Sequence, residues 1–257
     1  MQVAGQPLTA SQQRDFTLEV KQVDEFFERF NFDRNTLVLQ YMAKNYPGRT
    51  FSRSEMLLTL FNAAKPNWDT ALVGAFIRDV TRPRSAALLD FYAEDWYAEL
   101  DCSVFYRGMV KKATLVMEIQ CEADNSSRWI IRGVQADFLD LPRQEDDHKA
   151  INPMSHGTDF MALGKALDDT RNLRNVVYRG YEAEAMSLFM HELQTGNIEF
   201  QQVNNICYHF LQVPGWIFQV RRYLRNNSTN SGWLIDELVR ADEMAKAVYR
   251  YEVLHLR

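Results

Sequence analysis

Few residues in this chain stand at spacings that support chemistry, and each has a plainer structural reading. His191 and Glu192 open like the HExxH zinc motif, but Thr195 stands where the second imidazole ligand belongs, so the zinc reading fails. Cys207 and His209 are two apart, which on a strand puts thiol and imidazole on one face, as a nucleophile and its base require. No third group that would orient the imidazole is identifiable, so a buried Cys beside a hydrogen-bonded His is expected. From Asn152 to Asp159 small, polar and ionisable residues crowd a helix start, where the backbone around Ser155, His156 and Thr158 could hold an anion. The ordinary reading makes Thr158 a helix cap. Arg221 and Arg225, interleaved with Gln219 and Tyr223, could take a phosphate, a glycan or a nucleic-acid strand, or simply form the wet side of a sheet. No catalytic residue, metal or cofactor is assigned on these grounds.

Hydrophobic periodicity marks the elements that must position these groups. From Phe16, the apolar residues Val20, Val23, Phe27 and Phe30 form one stripe, predicting a single helix that begins near Thr9 and ends at the polar stretch from Asn31. A second helical stretch covers Thr36 to Lys44. Ser52 with Glu55 makes a capping box ahead of Met56, Leu57, Leu60, Phe61 and Ala64, and Pro66 ends that helix. Leu72, Val73, Phe76, Ile77 and Val80 mark another.

The period then falls to two. Trp96, Ala98, Leu100, Cys102, Val104 and Tyr106 alternate with polar residues in a half-buried strand, whose acids Glu99 and Asp101 are expected on a solvated outer face. A turn at Arg107-Gly108 leads to a second strand through Cys121, and a third runs from Arg128 to Val134. Beyond a polar connection, helices are predicted from Thr158 and from about Tyr181 to Gly196, then strands over Phe200 to Val213, Trp216 to Arg225 and Gly232 to Leu238. A helical reading of Trp233 to Val248 stands beside the last of these. The fold class is α+β, with helices packed on an antiparallel meander and the pattern repeated in the C-terminal half. The halves are 1–140 and 158–257, joined by 141–157.

Composition narrows the partners. A chain of 257 residues with 46% hydrophobic content and a net charge of −5 can bury a core and offers no electrostatic reason to bind nucleic acid. Three cysteines without CxxC spacing argue against a disulfide framework. No apolar run reaches the roughly 20 residues that span a bilayer, and the first residues lack the parts of a signal peptide, so a soluble chain is expected, with an exported mature form left open.

The repeated order, and the strands RWIIRGV and GWLIDEL with a Trp before apolar residues, resemble the nuclear transport factor 2-like, or cystatin-like, superfamily in two tandem copies. The resemblance implies a sheet curved around helices to enclose a pocket, in members that are isomerases, cyclases or non-catalytic binding domains. Trp96, Tyr106, Trp129, Tyr208, His209 and Trp233 are the candidate pocket residues. A non-catalytic protein that binds a small molecule or another protein is expected. An isomerase or cyclase and a self-associating homodimer are the alternatives.

Overall fold

The computed structural model describes residues 10–124, 126–139 and 184–256. Five helices lead: α1 (Ala10–Leu18), α2 (Val23–Asn31), α3 (Leu37–Asn45), α4 (Arg53–Thr59) and α5 (Thr70–Val80). The capping box of α4 is present, with Ser52 accepting from the Glu55 amide at 3.2 Å while Glu55 accepts from the Ser52 amide at 2.8 Å. Asp69 caps α5 in the same manner, accepting from the amides of Ala71 and Leu72.

The single helix expected from Thr9 to Phe30 is in fact two. Val20 leaves the helical path, its amide donating to Ser231 O at 3.1 Å and its carbonyl accepting from the Trp233 amide at 2.8 Å. Likewise α4 stops at Thr59 instead of running to Pro66, because Leu60 O accepts from the Ile235 amide at 2.7 Å and the Asn62 amide donates to Ile235 O at 2.9 Å. In both places a long-range main-chain bridge outweighs the local helical period. Both bridges occupy the outer edge of the last strand, which would otherwise present unpaired donors and acceptors.

Strands β1 (Trp96–Tyr106), β2 (Met109–Cys121) and β3 (Ser127–Gln135) form one meander. The turn between β1 and β2 puts Arg107 and Gly108 at φ of 49° and 82°, the left-handed pair that a two-residue hairpin needs. Helix α6 (Ala185–Gln194) precedes a second meander, β4 (Ile198–Phe210), β5 (Trp216–Tyr223) and β6 (Gly232–Arg240), and α7 (Glu243–Glu252) closes the chain. Residues 233 to 240 are therefore strand, and helix starts only at Glu243. The meanders share one six-stranded antiparallel sheet of order β3-β2-β1-β4-β5-β6, with Trp96 opposite Phe210 and Tyr106 opposite Ile198 at the central seam.

The sheet has two unlike faces. On the front, rings from α2 and α5 pack on β4 and β5: Phe26 with Phe210 at 5.5 Å, Phe30 with Phe218 at 5.8 Å and Phe76 with Phe218 at 5.6 Å between centroids. Each such burial contributes about 1.5–3 kcal/mol. At the other end of the same face, Phe189 of α6 joins Cys102, Val104, Leu115 and Val134 in a second core. The back is covered by α7 and the residues after it. Leu254 and Leu256 pack with Tyr97, Val116 and Ile217, and fit against β3 where Gly133 has no side chain.

Candidate functional site

On the front face, strand alternation and pairing bring four of the six candidate pocket residues into one row. Trp129 of β3 meets Trp96 of β1 at 5.2 Å, Trp96 meets Tyr208 of β4 at 6.0 Å, and Tyr208 meets Trp233 of β6 at 4.7 Å between ring centroids. Trp96 is locked by its indole N–H, which donates to Phe91 O at 3.0 Å. Trp129 ends the row with 40% of its surface exposed. Among the described residues the Tyr208 hydroxyl makes no hydrogen bond, and burial pushes its pKa up to about 12, so it is a neutral phenol. Leu100, Met117, Ile119, Ile131 and Ile206, all part-buried, lie on the same face between the two cores. Trp96 and Trp233 are buried at 1% and 7%, so the row can stack a flat apolar group only at its Trp129 end.

The other two candidates lie elsewhere. Tyr106 is at the far end of β1, its ring 5.0 Å from Phe138 and beneath the Arg107 guanidinium. His209 is on the back face. Ser155, His156 and Thr158, with the connection and the helix predicted from Thr158, lie outside the described residues.

The back face holds a polar cluster under α7. His209, 1% exposed, lies opposite Gln219, and Cys207, also 1% exposed, lies opposite Arg221. Gln219 Nε2 donates to the Tyr249 hydroxyl at 2.9 Å, and that hydroxyl lies 2.7 Å from His209 Nδ1. Glu99 Oε2 is 3.5 Å from His209 Nε2, which is buried and makes no hydrogen bond, so the two attract without hydrogen-bond alignment. With a carboxylate facing Nε2, the ring proton belongs there, and Tyr249 donates to Nδ1.

The Glu99 carboxyl is held below the usual glutamate range, first by the His209 imidazole and against the opposing effect of burial, with Arg221 and His255 adding. The expectation that Glu99 is solvated is thus corrected. Helix α7 covers this face, and a half-buried carboxylate keeps its charge by meeting an imidazole; Asp101, further along β1, is exposed as expected. The Cys207 thiol, 3.7 Å from Gln219 Oε1, is pushed up to about 12 by burial, which removes the thiolate a nucleophile needs. Arg221 stays beside Gln219 and Asp236, whereas Arg225 leaves the strand and binds Asn62 and Asn230.

Because its folded-state pKa is depressed, Glu99 contributes stability that is present above the unfolded glutamate pKa and is lost as pH falls through the folded value. Glu99→Gln is therefore expected to flatten the fall in stability that urea melts show as pH drops below the ordinary glutamate value of 4.5. An unchanged acid limb would show that the Glu99–His209 contact contributes nothing.

Sequence reasoning missed Tyr249 and read Gln219 only as part of the Arg221 and Arg225 row, because their meeting with His209 depends on where α7 lands. It also missed an apolar groove of about 420 Å³ between α4 and α5, lined by Leu58, Phe61, Trp68, Val73, Gly74 and Ile77. Gly74, just outside the apolar stripe of α5, was the one available signal, since it adds no side chain to the groove it lines. Among the described residues no group of three or more His, Cys, Asp or Glu could hold a metal ion, and no helix is long and apolar enough to cross a membrane. Comparisons with models of protein families, with curated proteins and with solved structures find no match.

Proposed function

We propose that the protein is a non-catalytic binding protein whose front sheet face takes a small, largely apolar molecule. The observation that carries this reading is the aromatic row from Trp129 to Trp233, which runs along the margin of the front core, with Trp96 and Trp233 inside it, and ends in the Trp129 indole, 40% exposed. Trp96 and Trp233 are buried, so the accessible part of the row is Trp129, and that indole, with the part-buried Tyr208 hydroxyl as a sparse polar handle, suits a planar ligand. Helices in front of an antiparallel sheet support the nuclear transport factor 2-like reading of the fold. Two meanders set side by side, β1 against β4, support descent from two related halves; Trp129 and Trp233 then hold equivalent places at the two ends of the row.

One observation speaks for the enzyme alternative: Glu99, His209 and Tyr249 converge. They do so beneath α7, where His209 is 1% exposed and the Tyr249 hydroxyl is pushed up to about 12 by burial. A cluster so enclosed suits the docking of a helix better than the turnover of a substrate.

Titration with 1-anilinonaphthalene-8-sulfonate, read by energy transfer from tryptophan, tests the front face. Trp129→Ala is expected to weaken the probe about 2- to 10-fold, the worth of one aromatic contact of roughly 0.5–1.5 kcal/mol. Tyr208→Phe, which keeps the ring, should change the probe's affinity less than Trp129→Ala does. Binding that ignores Trp129→Ala would sink the reading.

A further inference from the structure

Arg78 lies on the same face of α5 as Thr70 and Gly74, each about one turn from the next. Helical side chains lean toward the N-terminus, so the Arg78 side chain runs back over the preceding turn. Gly74 has no side chain there to turn it away, and Arg78 Nη1 lies 3.4 Å from where a Gly74 Cβ would stand. The guanidinium is thereby set beside the groove between α4 and α5, whose lining, Thr70 and Gly74 apart, is apolar. Among the described residues no carboxylate pairs with Arg78. Asp79 is taken by Arg82 and by the Trp216 indole, and Asp69 caps α5. Glu237 pairs with Lys65, whose ammonium lies 5.0 Å from the Trp68 ring centroid.

We propose that this groove binds a small apolar carboxylic acid of the medium-chain fatty acid class, its chain among Leu58, Phe61, Trp68 and Ile77 and its carboxylate on Arg78. The volume of about 420 Å³ falls within the roughly 300–1,000 Å³ of small-molecule sites, and apolar walls with one well-placed polar group are their usual make-up. Charge selects the ligand. The free guanidinium matches the two oxygens of a carboxylate with parallel N–H donors, which fixes the head while burial of the chain supplies most of the affinity. A cationic head would meet Arg78 and Lys65 instead and be repelled. Gly74 serves the site twice, by leaving the groove open and by letting the guanidinium reach it. This inference does not depend on what the front face binds.

Isothermal titration of the full chain with sodium decanoate, up to about 1 mM, tests it. Binding of one molecule per chain is expected, with a Kd of roughly tens to hundreds of micromolar for so small a ligand. Decylamine, with the same chain and the opposite charge, should bind at least about tenfold more weakly. Gly74→Leu fills the groove and should abolish binding. A leucine is favoured over glycine inside a helix, and the added Cβ meets only the mobile tip of Arg78, so the thermal midpoint should hold or rise. Arg78→Met should weaken decanoate at least about threefold and leave decylamine no weaker, whereas Lys112→Met, which removes an exposed cation from β2, should change neither. Absence of decanoate binding, or binding indifferent to Gly74→Leu, overturns the proposal. Binding that Trp129→Ala abolishes and Gly74→Leu does not would place the acid on the front face and overturn it too. Decylamine bound as tightly as decanoate, or decanoate indifferent to Arg78→Met, overturns the role of Arg78. Self-association that Gly74→Leu abolishes would give the groove to a second copy of the chain and overturn the small-molecule assignment.

Discussion

Gly232→Ala is expected to destabilise the fold by about 4 kcal/mol or more, enough to leave little folded protein at physiological temperature. Gly232 sits at φ 93°, a left-handed conformation that side chains resist, and a Cβ added there would lie 2.0 Å from Val20 O and 2.5 Å from Val20 C. Those atoms belong to backbone held on both sides by hydrogen bonds to Ser231 and Trp233, so they cannot step aside without losing the bridge that closes the β6 edge. The control is Gly196→Ala. Gly196 has φ 73° but nothing within 4 Å of its added Cβ, so it carries the conformational cost alone, about 1 kcal/mol. Urea melts of the two variants separate strain from collision. Similar losses in both would mean that the approach of Val20 to Gly232 is not as tight as described.

Arg53→Met is expected to cost about 3 kcal/mol. The Arg53 guanidinium donates to Phe30 O at 3.0 Å and Val80 O at 2.8 Å, and also to Ala87 O, so one side chain satisfies carbonyls at the ends of α2 and α5 and in the loop before β1. Methionine keeps the apolar stem but removes every donor, so the Phe30 and Ala87 carbonyls lose this partner while Val80 O keeps only the Ala87 amide at 3.2 Å. Lysine offers a point charge in place of a planar fork and should recover only part of the loss. Arg49→Met is the comparison: Arg49 pairs with Glu55 at the surface, and its loss should stay within about 0.5 kcal/mol. If Arg53→Met costs no more than Arg49→Met, the three-carbonyl clamp is not a source of stability.

Both predictions concern contacts that no local pattern announces. In the sequence Gly232 reads only as the first residue of a strand, and Arg53, between Ser52 and Glu55, carries no assigned role. Their weight comes from Val20, Phe30, Val80 and Ala87, which are brought alongside by the tertiary fold. The same holds for the polar cluster. Strand alternation placed Cys207 and His209 on one face, but neither the phenol that meets His209, from a helix 40 residues later, nor the carboxylate of Glu99 follows from alternation.

By itself the sequence determined whatever depends on neighbours within a few residues: the Ser52 and Glu55 cap, the two-residue turn at Arg107-Gly108, the alternation that puts Trp96 and Cys102 on one face, and the six strands in two groups of three. Such features follow from short-range hydrogen bonds and from the periods of helix and strand, which are written into consecutive side chains. The tertiary structure alone decided the break at Val20, the joining of both meanders at β1 and β4, the row from Trp129 to Trp233, and the inward polar face of α7. In each of these, pairing between distant segments competed with a local preference and won, because a buried main-chain or charged group left without a partner costs more than a helical turn interrupted or an apolar side chain left in water.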